Sequence, residues 1–309
     1  MLRSIAKTLI SHDKIYIITH VNPDGDALGS SFALKNALTL MGKDVQVVLN
    51  APMPVSFLFT GWEPLLYSEN LSSECVVGLD FNVLSRAGEA ALLFEKAQDK
   101  ILIDHHVGCE MEGELVESRP DAAATGEIVY ELIKILLDDV PKEVAEGIYI
   151  AVMTDTGGCR YSNTSKGTHL IIADIIDKIN HAYLARMALE LVSREKLEIQ
   201  KFALNNFEFF KNGEICTVSI RADMMKNEDL LNGIVNMALN IEGVKAGVLF
   251  KEKGDETTKV SLRTLCETDA RAACSLFGGG GHKNAAGCTI EKPIEEAKEL
   301  FISRLAERI

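Results

Sequence analysis

The chain has 309 residues, of which 47% are apolar and 25% are charged, and its formal net charge is −13. This length is sufficient for two ordinary domains. No apolar run reaches the roughly 18 residues needed to cross a bilayer, and no cleavage site follows the short apolar patch near the N-terminus. We therefore expect a cytoplasmic protein without membrane partners. The seven cysteines are scattered without a C-x-x-C pair, which excludes a disulfide framework and a zinc ribbon.

The charge is distributed unevenly along the chain. Residues 213–309 contain 13 Lys and Arg and 15 Asp and Glu, a net charge of −2, which leaves −11 for the first 212 residues. Proteins that hold long nucleic acid by counterion release usually present a basic face. The acidic first part therefore argues against long duplex nucleic acid as a partner. It favours a site that collects divalent cations and acts on a small phosphorylated substrate.

Helices and strands alternate in the first part of the chain. An amphipathic helix is predicted at the N-terminus, and short β-branched runs predict buried parallel strands. The predicted strands are KIYIITH (14–20), DVQVVLN (44–50), ECVVGLD (74–80) and KILID (100–104). The predicted helices that follow the first strand are DALGSSFALKNALTLMG (26–42), ATGEIVYELIKILL (124–137) and PKEVAEGIYIAVMTD (141–155). This alternation predicts an α/β fold, a parallel sheet with helices on both faces.

A long helical connector is predicted over 192–211, and a smaller α/β unit follows it. Its predicted strands are EICTVSI (214–220), VKAGVLFKEK (244–253) and TTKVSLRT (257–264), with GDETT as a hairpin turn. Its predicted helices are LLNGIVNMALNIEG (230–243) and KPIEEAKELFISRLAERI (292–309). We therefore expect a first domain at 1–185, a helical linker at 186–212 and a second domain at 213–309.

Polar residues close three predicted strands of the first sheet: His20, Asp80 and Asp104. Ligands of open α/β sheets bind beyond the carboxyl ends of the strands. His20 also begins the segment HVNPDGDALGS, in which Pro23 and Gly25 favour a tight loop. Such a loop would expose His20, Asp24 and Asp26 toward a metal. The alternative is an Asp-rich turn in which Asp26 is a helix N-cap.

Three more features point to metal ligation. Asp104-His105-His106 places two adjacent imidazoles at a strand end, and neutral imidazole is a common metal ligand. Asp80 follows a buried strand, and its alternative role is that of a turn former. Asp155, in Thr-Asp-Thr-Gly, falls at the end of a predicted helix, where the helix dipole disfavours a carboxylate. The alternative for the Asp-His-His triplet is a pair of solvent-facing loop residues, and the alternative for Asp155 is a helix C-terminal turn.

The last motif is FGGGGHKNAAG at 277–287. Four consecutive glycines can present backbone N–H groups to phosphate oxygens, and His282 and Lys283 would add donors and positive charge. The alternative is a flexible hinge, which would not require the histidine and lysine that follow the glycines.

Together these motifs resemble the DHH phosphoesterase family, which takes its name from the Asp-His-His triplet. The likeness covers nearly the whole chain and is strongest to the type that acts as nano-RNase and pAp phosphatase, with a DHH-associated C-terminal domain. The matching segments are H-x-x-P-D-G-D-A-L-G-S at 20–30, the aspartate at 80, D-H-H at 104–106, T-D-T-G at 154–157 and G-G-G-G-H at 278–282.

The resemblance implies roles for individual residues. One metal would be held by His20, Asp24 and Asp80, and the other by Asp26, Asp80, His105 and Asp155, with Asp80 bridging. Asp104 would orient the site, and His106 would lie beside the substrate phosphate. Substrate contacts would come from Arg263, Gly280, Gly281, His282 and Asn284. Gly158-Cys159 depart from the family pattern, so the resemblance assigns no role to Arg160 or Tyr161, which follow them.

The resemblance also implies an enzyme that hydrolyses short RNA oligonucleotides and 3′-phosphoadenosine 5′-phosphate (pAp). Two divalent cations would lower the pKa of a bound water and neutralise charge on the phosphate. Carboxylate and imidazole ligands without thiolate favour Mn²⁺, with Co²⁺, Fe²⁺ or Mg²⁺ as substitutes. Two alternatives stay open: a linear or cyclic dinucleotide phosphodiesterase, and a non-catalytic metal-dependent nucleotide-binding module. An inorganic pyrophosphatase shares the metal motifs, but the Gly-rich His motif at 278–282 argues against it. The oligomeric state is open as well, a homodimer included.

Overall fold

The computed structural model describes residues 1–111, 115–224, 228–231, 233–265 and 268–309. Cys266, one of the seven cysteines, and Asn232, inside a predicted helix, lie outside the described residues. The chain divides into two compact units, Met1–Leu191 and Val192–Ile309. Among the residues that the structure describes, every helix is too short or too polar to span a bilayer.

The first unit is built on a six-stranded sheet in the order β3-β2-β1-β4-β5-β6, in which every pair is parallel. Its strands are β1 (Lys14–Ile18), β2 (Asp44–Leu49), β3 (Leu65–Leu66), β4 (Cys75–Leu79), β5 (Asp99–Asp104) and β6 (Val116–Ser118). Its helices are α1 (Leu2–Ser11), α2 (Gly25–Leu40), α3 (Ala91–Lys96), α4 (Thr125–Leu136), α5 (Lys142–Asp155), α6 (Lys166–Ile175) and α7 (His181–Ala185).

Apolar cores lie on both faces of this sheet. One contains buried residues of α1, α2, α4 and α5, and the other contains Phe81 and residues of α3. This confirms the predicted α/β fold. The order of the strands reverses at β1, which has β2 on one side and β4 on the other. The ends of β1 and β4 therefore form a topological switch point, the usual place of a ligand site in such sheets.

Two glycines set the contact between α2 and α5. A Cβ on Gly29 would lie 2.5 Å from the carbonyl oxygen of Gly147, and a Cβ on Gly147 would lie 2.7 Å from that of Gly29. The backbones thus touch, and only glycine fits at either position. At Gly25, a Cβ would lie 2.4 Å from Thr154. The start of α2 is therefore pressed against the end of α5, which brings the aspartates of these two segments together.

The second unit has a mixed sheet in the order β11-β12-β10-β9-β8-β7, with β8 and β9 parallel and the other pairs antiparallel. Its strands are β7 (Glu208–Phe210), β8 (Ile215–Ile220), β9 (Ala246–Gly254), β10 (Thr257–Thr264), β11 (Gly280–His282) and β12 (Ala285–Ile290). Its helices are α8 (Arg194–Asn205), α9 (Ile234–Leu239), α10 (Ala270–Ser275) and α11 (Ile294–Ala306). Helices α10 and α11 pack on one face, and α8 and α9 pack on the β8–β9 part of the other.

Three local predictions are wrong in part. The helix predicted over 192–211 ends at Asn205, and Phe209 and Phe210 enter strand β7. Phe210 packs against the core of the second unit, and aromatic residues favour strands. The α-helix predicted over 230–243 is confined to Ile234–Leu239, after Gly233 with φ 91°. No strand was predicted in the glycine-rich segment, but Gly280–His282 form strand β11, paired with β12.

Candidate metal centre

The loop between β1 and α2 carries three of the predicted ligands. Asp24 is the N-cap of α2, since its Oδ1 accepts from the N–H groups of Asp26 at 3.0 Å and of Ala27 at 3.1 Å. The cap of this helix is therefore Asp24 and not Asp26, as the alternative assignment had it. Capping occupies only one carboxylate oxygen. The other remains available as a ligand.

Asp26 is fixed by a different helix. Its Oδ2 accepts from the N–H of Thr125 at 2.7 Å, and its Oδ1 accepts from the N–H of Gly126 at 2.9 Å and from Ser30 Oγ at 3.0 Å. The N-cap position of α4 is Ala124, which has no side-chain oxygen. Asp26, which comes from a distant part of the chain, therefore caps the N-terminus of α4 in place of a local side chain. The positive end of the α4 dipole stabilises the charge of Asp26.

Asp80 lies at the centre of the cluster, directly after β4. It is 2% exposed and has φ 66°, a left-handed conformation that costs a non-glycine residue about 1 kcal/mol or more. Its Oδ1 accepts from Thr125 Oγ1 at 3.0 Å. Histidine nitrogens lie close to both oxygens: His20 Nε2 is 3.6 Å from Oδ2, and His105 Nε2 is 3.7 Å from Oδ1.

The Asp-His-His triplet separates into one support and two functional imidazoles. Asp104, fully buried, accepts from the backbone N–H of His106 at 3.1 Å and lies 2.8 Å from His106 Nδ1. His105 Nδ1 donates to the carbonyl of Ala122 at 3.2 Å. That bond places the proton of neutral His105 on Nδ1, so the lone pair of Nε2 points toward the carboxylates.

Asp155 closes the cluster at the end of α5. Its Oδ2 lies 3.5 Å from His105 Nε2. The amide of Asn163 donates to the carbonyl of Asp155 at 3.1 Å and to that of Ala123 at 2.9 Å, which ties the end of α5 to the segment before α4. All six predicted ligands are therefore brought together: His20, Asp24, Asp26, Asp80, His105 and Asp155.

The cluster offers more than one group of ligand atoms that suits a divalent cation. Its ligand atoms fall into groups that lie within 4.8 Å of one another, including His20 with Asp24 and Asp80, and Asp26 with His105 and Asp155. Such separations suit ligands around one ion at bond lengths of about 2.1 Å. Among the described residues, the buried Nε2 of His20 has no hydrogen-bond partner. A buried nitrogen without a partner is costly unless a ligand completes it.

Electrostatics agree with a cation site. Burial, and then the charge of Asp80, hold the pKa of Asp26 well above its usual range. Burial and the same neighbour raise the pKa of Asp155 to about 6, although His105 opposes the shift. Burial would also raise the pKa of Asp80, but the nearby histidines outweigh it and the net shift is downward. Cations would relieve the mutual repulsion of these carboxylates.

Four supporting residues escaped the sequence analysis: Ser30, Thr125, Gly126 and Glu127. Glu127 is 8% exposed, and its carboxylate accepts from the N–H of Ala123 and from Thr168 Oγ1, which joins α6 to the start of α4. A weak signal existed, because the predicted helix 124–137 begins with Ala where a capping side chain is usual. That missing cap indicated that another segment binds the helix start.

The predicted substrate-binding residues lie in the second unit, around the β11–β12 hairpin. His282 pairs with Ala285, and Ala285 pairs with Arg263 on β10, so the side chains of His282 and Arg263 share one face of the sheet. Gly281 has φ 140°, and a Cβ there would lie 2.4 Å from the Ala285 carbonyl. Asn284 is exposed in the hairpin turn, and its carbonyl accepts from Thr264 N–H at 3.0 Å.

Arg160 and Tyr161 fold back on the turn that follows Asp155. Arg160 Nε donates to the carbonyl of Gly157 at 2.6 Å, and a Cβ on Gly157 would lie 2.3 Å from the Tyr161 ring. Asn82, also without a predicted role, donates to the carbonyl of Val107 at 3.1 Å. It supports the loop that follows the Asp-His-His triplet.

Comparison with known proteins agrees with this architecture. The chain is 29% identical over its full length to the bifunctional oligoribonuclease and PAP phosphatase NrnA of Thermus thermophilus, covering 94% of that protein. The crystal structure of an exopolyphosphatase-related protein from Bacteroides fragilis superposes with a TM-score of 0.90 at 29% identity, over 99% of this chain and 95% of that one. The structure of RecJ from Thermus thermophilus with Mn²⁺ shares the fold at 16% identity, with a TM-score of 0.60 over 99% of this chain and 54% of that one.

The family profiles match both units. The DHH family N-terminal domain matches residues 14–152, and the DHHA1 domain matches residues 212–309. The first match contains His20, Asp24, Asp26, Asp80 and the Asp-His-His triplet, and the second contains the glycine-rich hairpin. The chain therefore belongs to the DHH family and combines its N-terminal domain with a DHHA1 domain.

Proposed function

We propose that this protein is a divalent-cation-dependent phosphoesterase that hydrolyses short RNA oligonucleotides and pAp. The observation that carries the proposal is the cluster of four carboxylates and two imidazoles at the switch point of the first sheet. The relative from Thermus thermophilus, which is similar over the full length, bears both activities in its name. The domain boundaries proposed from the sequence, 1–185, 186–212 and 213–309, assign this chemistry to the first domain and substrate binding to the last.

The proposed ligand sets follow the geometry of the cluster. His20, Asp24 and Asp80 would hold one cation, and Asp26, Asp80, His105 and Asp155 the other. Mn²⁺ is the preferred ion, because the ligands are carboxylates and imidazoles without a thiolate. When bound, such a pair supplies a water of lowered pKa and positive charge beside the phosphate oxygens.

His106 is the proposed proton donor to the leaving oxygen. Its Nδ1 is held by Asp104, and this hydrogen bond is the main reason why the pKa of His106 is raised. The bond orients the ring and leaves Nε2 as the atom that can donate a proton. A histidine whose pKa is raised keeps its proton to a higher pH, which suits it to assist the departure of an alkoxide. Asp104 acts by positioning and makes no contact with substrate.

In the second unit, Arg263 and His282 are proposed to bind a substrate phosphate, together with the backbone of Gly280 and Gly281 and with Asn284. Their shared sheet face supports this assignment. The guanidinium group is suited to a phosphate because its donors match two oxygens at once. Binding energy from a phosphate that does not react would position the one that does.

The direct test is product analysis with pAp, pGpG, a short RNA and pyrophosphate in a buffer containing Mn²⁺. We expect inorganic phosphate from pAp and mononucleotides from the short RNA, and no products from either after chelation. Cleavage of pGpG alone would identify a dinucleotide phosphodiesterase instead. Cleavage of pyrophosphate alone would identify a pyrophosphatase. Tight nucleotide binding without turnover would indicate a non-catalytic module.

A further inference from the structure

The turn that follows Asp155 has a strained backbone. Gly157, Gly158 and Cys159 have φ values of 57°, 72° and 62° in succession. This left-handed conformation costs a residue with a Cβ about 1 kcal/mol or more, so Cys159 is strained. The N–H of Cys159 donates to Thr156 Oγ1 at 3.1 Å, which holds it in place. Strain of this kind persists only where the surrounding structure enforces it, and it is concentrated at functional sites.

The turn brings the ring of Tyr161 back over Gly157. The N–H groups of Arg160 and Tyr161 donate to the carbonyl of Thr156 at 2.9 and 3.0 Å. A Cβ on Gly157 would lie 2.3 Å from Tyr161 Cζ and 2.6 Å from each of its two Cε atoms. These nearly equal distances put that point above a face of the ring and not beside its edge. One face of Tyr161 therefore lies flat on the backbone of Gly157, and a side chain at 157 would displace it.

The other face of the Tyr161 ring is open. The residue is 51% exposed, although Gly157 covers one face of its ring. Among the residues that the structure describes, no aromatic ring and no lysine or arginine stacks on it. An aromatic ring that stays in water gives up the stabilisation that its burial would provide. A ring that is fixed on one face and open on the other is suited to stack on a nucleotide base.

The support of this ring is tied to the candidate metal centre. Gly157 is two residues from Asp155, a separation that the chain spans with at most about 7 Å. The carbonyl of Gly157 accepts from Arg160 Nε at 2.6 Å, and the carbonyl of Asp155 accepts from the amide of Asn163 at 3.1 Å. These bonds hold the turn rigid on both sides. The Tyr161 ring therefore has a fixed place close to Asp155, as the base of a nucleotide lies close to its own phosphate.

We propose that the open face of Tyr161 stacks on the base of the nucleotide whose phosphate is cleaved at the metal centre. The contact rests on the proposed function and deepens it, since it adds recognition of the base to recognition of the phosphates. Every base has a π-face, so one ring accepts all four with little discrimination. Tyr161 is thus a positioning residue that favours nucleotides over phosphate esters without a base.

The test compares Tyr161→Leu, Tyr161→Phe and Tyr183→Leu in the full chain. Tyr183 is a matched control, because it is 47% exposed and rests against the Phe59 ring. For each protein, kcat/KM is measured in Mn²⁺ with pAp and with 1-deoxyribose 3,5-bisphosphate, which is the same bisphosphate without its base. The ratio of the two should fall about tenfold in Tyr161→Leu, the effect of one lost stacking contact. It should be retained in Tyr161→Phe and in Tyr183→Leu. An unchanged ratio in Tyr161→Leu, or equal losses on both substrates, would overturn the base contact.

A binding measurement separates this proposal from the proposed function. Isothermal titration in Mn²⁺ with the methylenephosphonate analogue of pAp, which cannot be hydrolysed, reports affinity without turnover. Tyr161→Leu should weaken its Kd about tenfold, and Tyr161→Phe should restore it. If wild-type protein hydrolyses neither pAp nor short RNA, the proposed function fails, and the titration still decides the base contact. Equal affinity of wild type and Tyr161→Leu, or no binding to wild type, would refute it.

Discussion

Thr125 and Asp26 are joined across 99 residues of chain, because the N–H of Thr125 donates to Asp26 Oδ2 at 2.7 Å. The hydroxyl group of the same threonine donates to Asp80 Oδ1 at 3.0 Å. One residue at the start of α4 therefore fixes a carboxylate from the loop after β1 and another from the end of β4. The spacing of the two carboxylates is determined by a helix that supplies no ligand of its own.

Thr125→Val removes the hydroxyl group and keeps both the shape and the N–H. Asp80 should then lose a fixed orientation, and the affinity for Mn²⁺ should fall about 10- to 100-fold, the usual effect of losing a support of a metal ligand. Stability should fall by about 1 kcal/mol. Isothermal titration with Mn²⁺ measures the affinity, and Thr39→Val, at an exposed site on α2, is the control. An unchanged affinity would mean that Thr125 acts only in folding.

Asp80→Asn should be the most damaging single change among the ligands. Asparagine tolerates the left-handed backbone of this position, so the fold should be retained. The change weakens a ligand that both cations would share, and we expect kcat with pAp to fall at least about 10³-fold. Asp24→Asn, which affects one proposed ion, should cost less. Activity of Asp80→Asn within tenfold of wild type would show that Asp80 does not bridge.

The free energy of unfolding of the metal-free protein should decrease as the pH rises from about 4 through about 6. The pKa of Asp155 is raised to about 6, mainly by burial, so the folded state binds a proton that the unfolded state releases above pH about 4. The extra proton on Asp155 stabilises the folded state. This stabilisation is fully present below pH about 4 and is lost as the pH rises through about 6. In EDTA, this group should make the protein more stable at pH 5.5 than at pH 7.5 by about 1 kcal/mol.

Thermal melts in EDTA and in saturating Mn²⁺ check this directly. With Mn²⁺ the protein should instead be more stable at pH 7.5 than at pH 5.5, because protons compete with the cation for the carboxylates. Asp155→Asn has no carboxylate to titrate at this position and should lose the part of the pH effect in EDTA that Asp155 contributes. The same pH trend with and without the cation would show that the cluster does not bind it.

His282→Ala should slow the cleavage of nucleotide substrates and leave the cleavage of a small artificial ester nearly unchanged. Turnover of pAp and short RNA should fall about 10- to 100-fold, the scale of one or two charge-assisted hydrogen bonds. The small ester bis-p-nitrophenyl phosphate, which has no second phosphate to bind, should be cleaved at nearly the wild-type rate. His169→Ala, at an exposed site on α6, is the matched control. Equal losses on both substrates would place His282 at the metals or in folding.

The sequence predicted much of the fold because the strands of the first sheet are short, apolar and separated by clear helical periods. The candidate site residues His20, Asp80 and Asp104 were recognisable for the same reason, since each lies at or just after the end of a buried strand. Five strands were missed: three short ones, and the two strands of the glycine-rich hairpin, Gly280–His282 and Ala285–Ile290. Leu65–Leu66, Val116–Ser118 and Glu208–Phe210 are too short to show a period, and their pairing depends on neighbours that are distant in sequence.

The supports of the site could not be predicted for a related reason. Nothing in the local sequence indicates that Asp26 caps α4 or that Glu127 binds Thr168, because both contacts join segments that only the fold brings together. No strand was predicted in the glycine-rich segment because glycine has low strand propensity. The strand Gly280–His282 lies against β12, where a Cβ on Gly281 would clash with the backbone of Ala285 and Ala286.

Anomalous diffraction at the manganese absorption edge, from crystals of the protein soaked in Mn²⁺, tests the central claim most directly. Two peaks about 3.5 to 4 Å apart are expected, one among His20, Asp24 and Asp80 and the other among Asp26, Asp80, His105 and Asp155. Asp80→Asn crystals should show weaker peaks at both positions. A single peak in wild type, or peaks away from these six side chains, would contradict a two-cation centre.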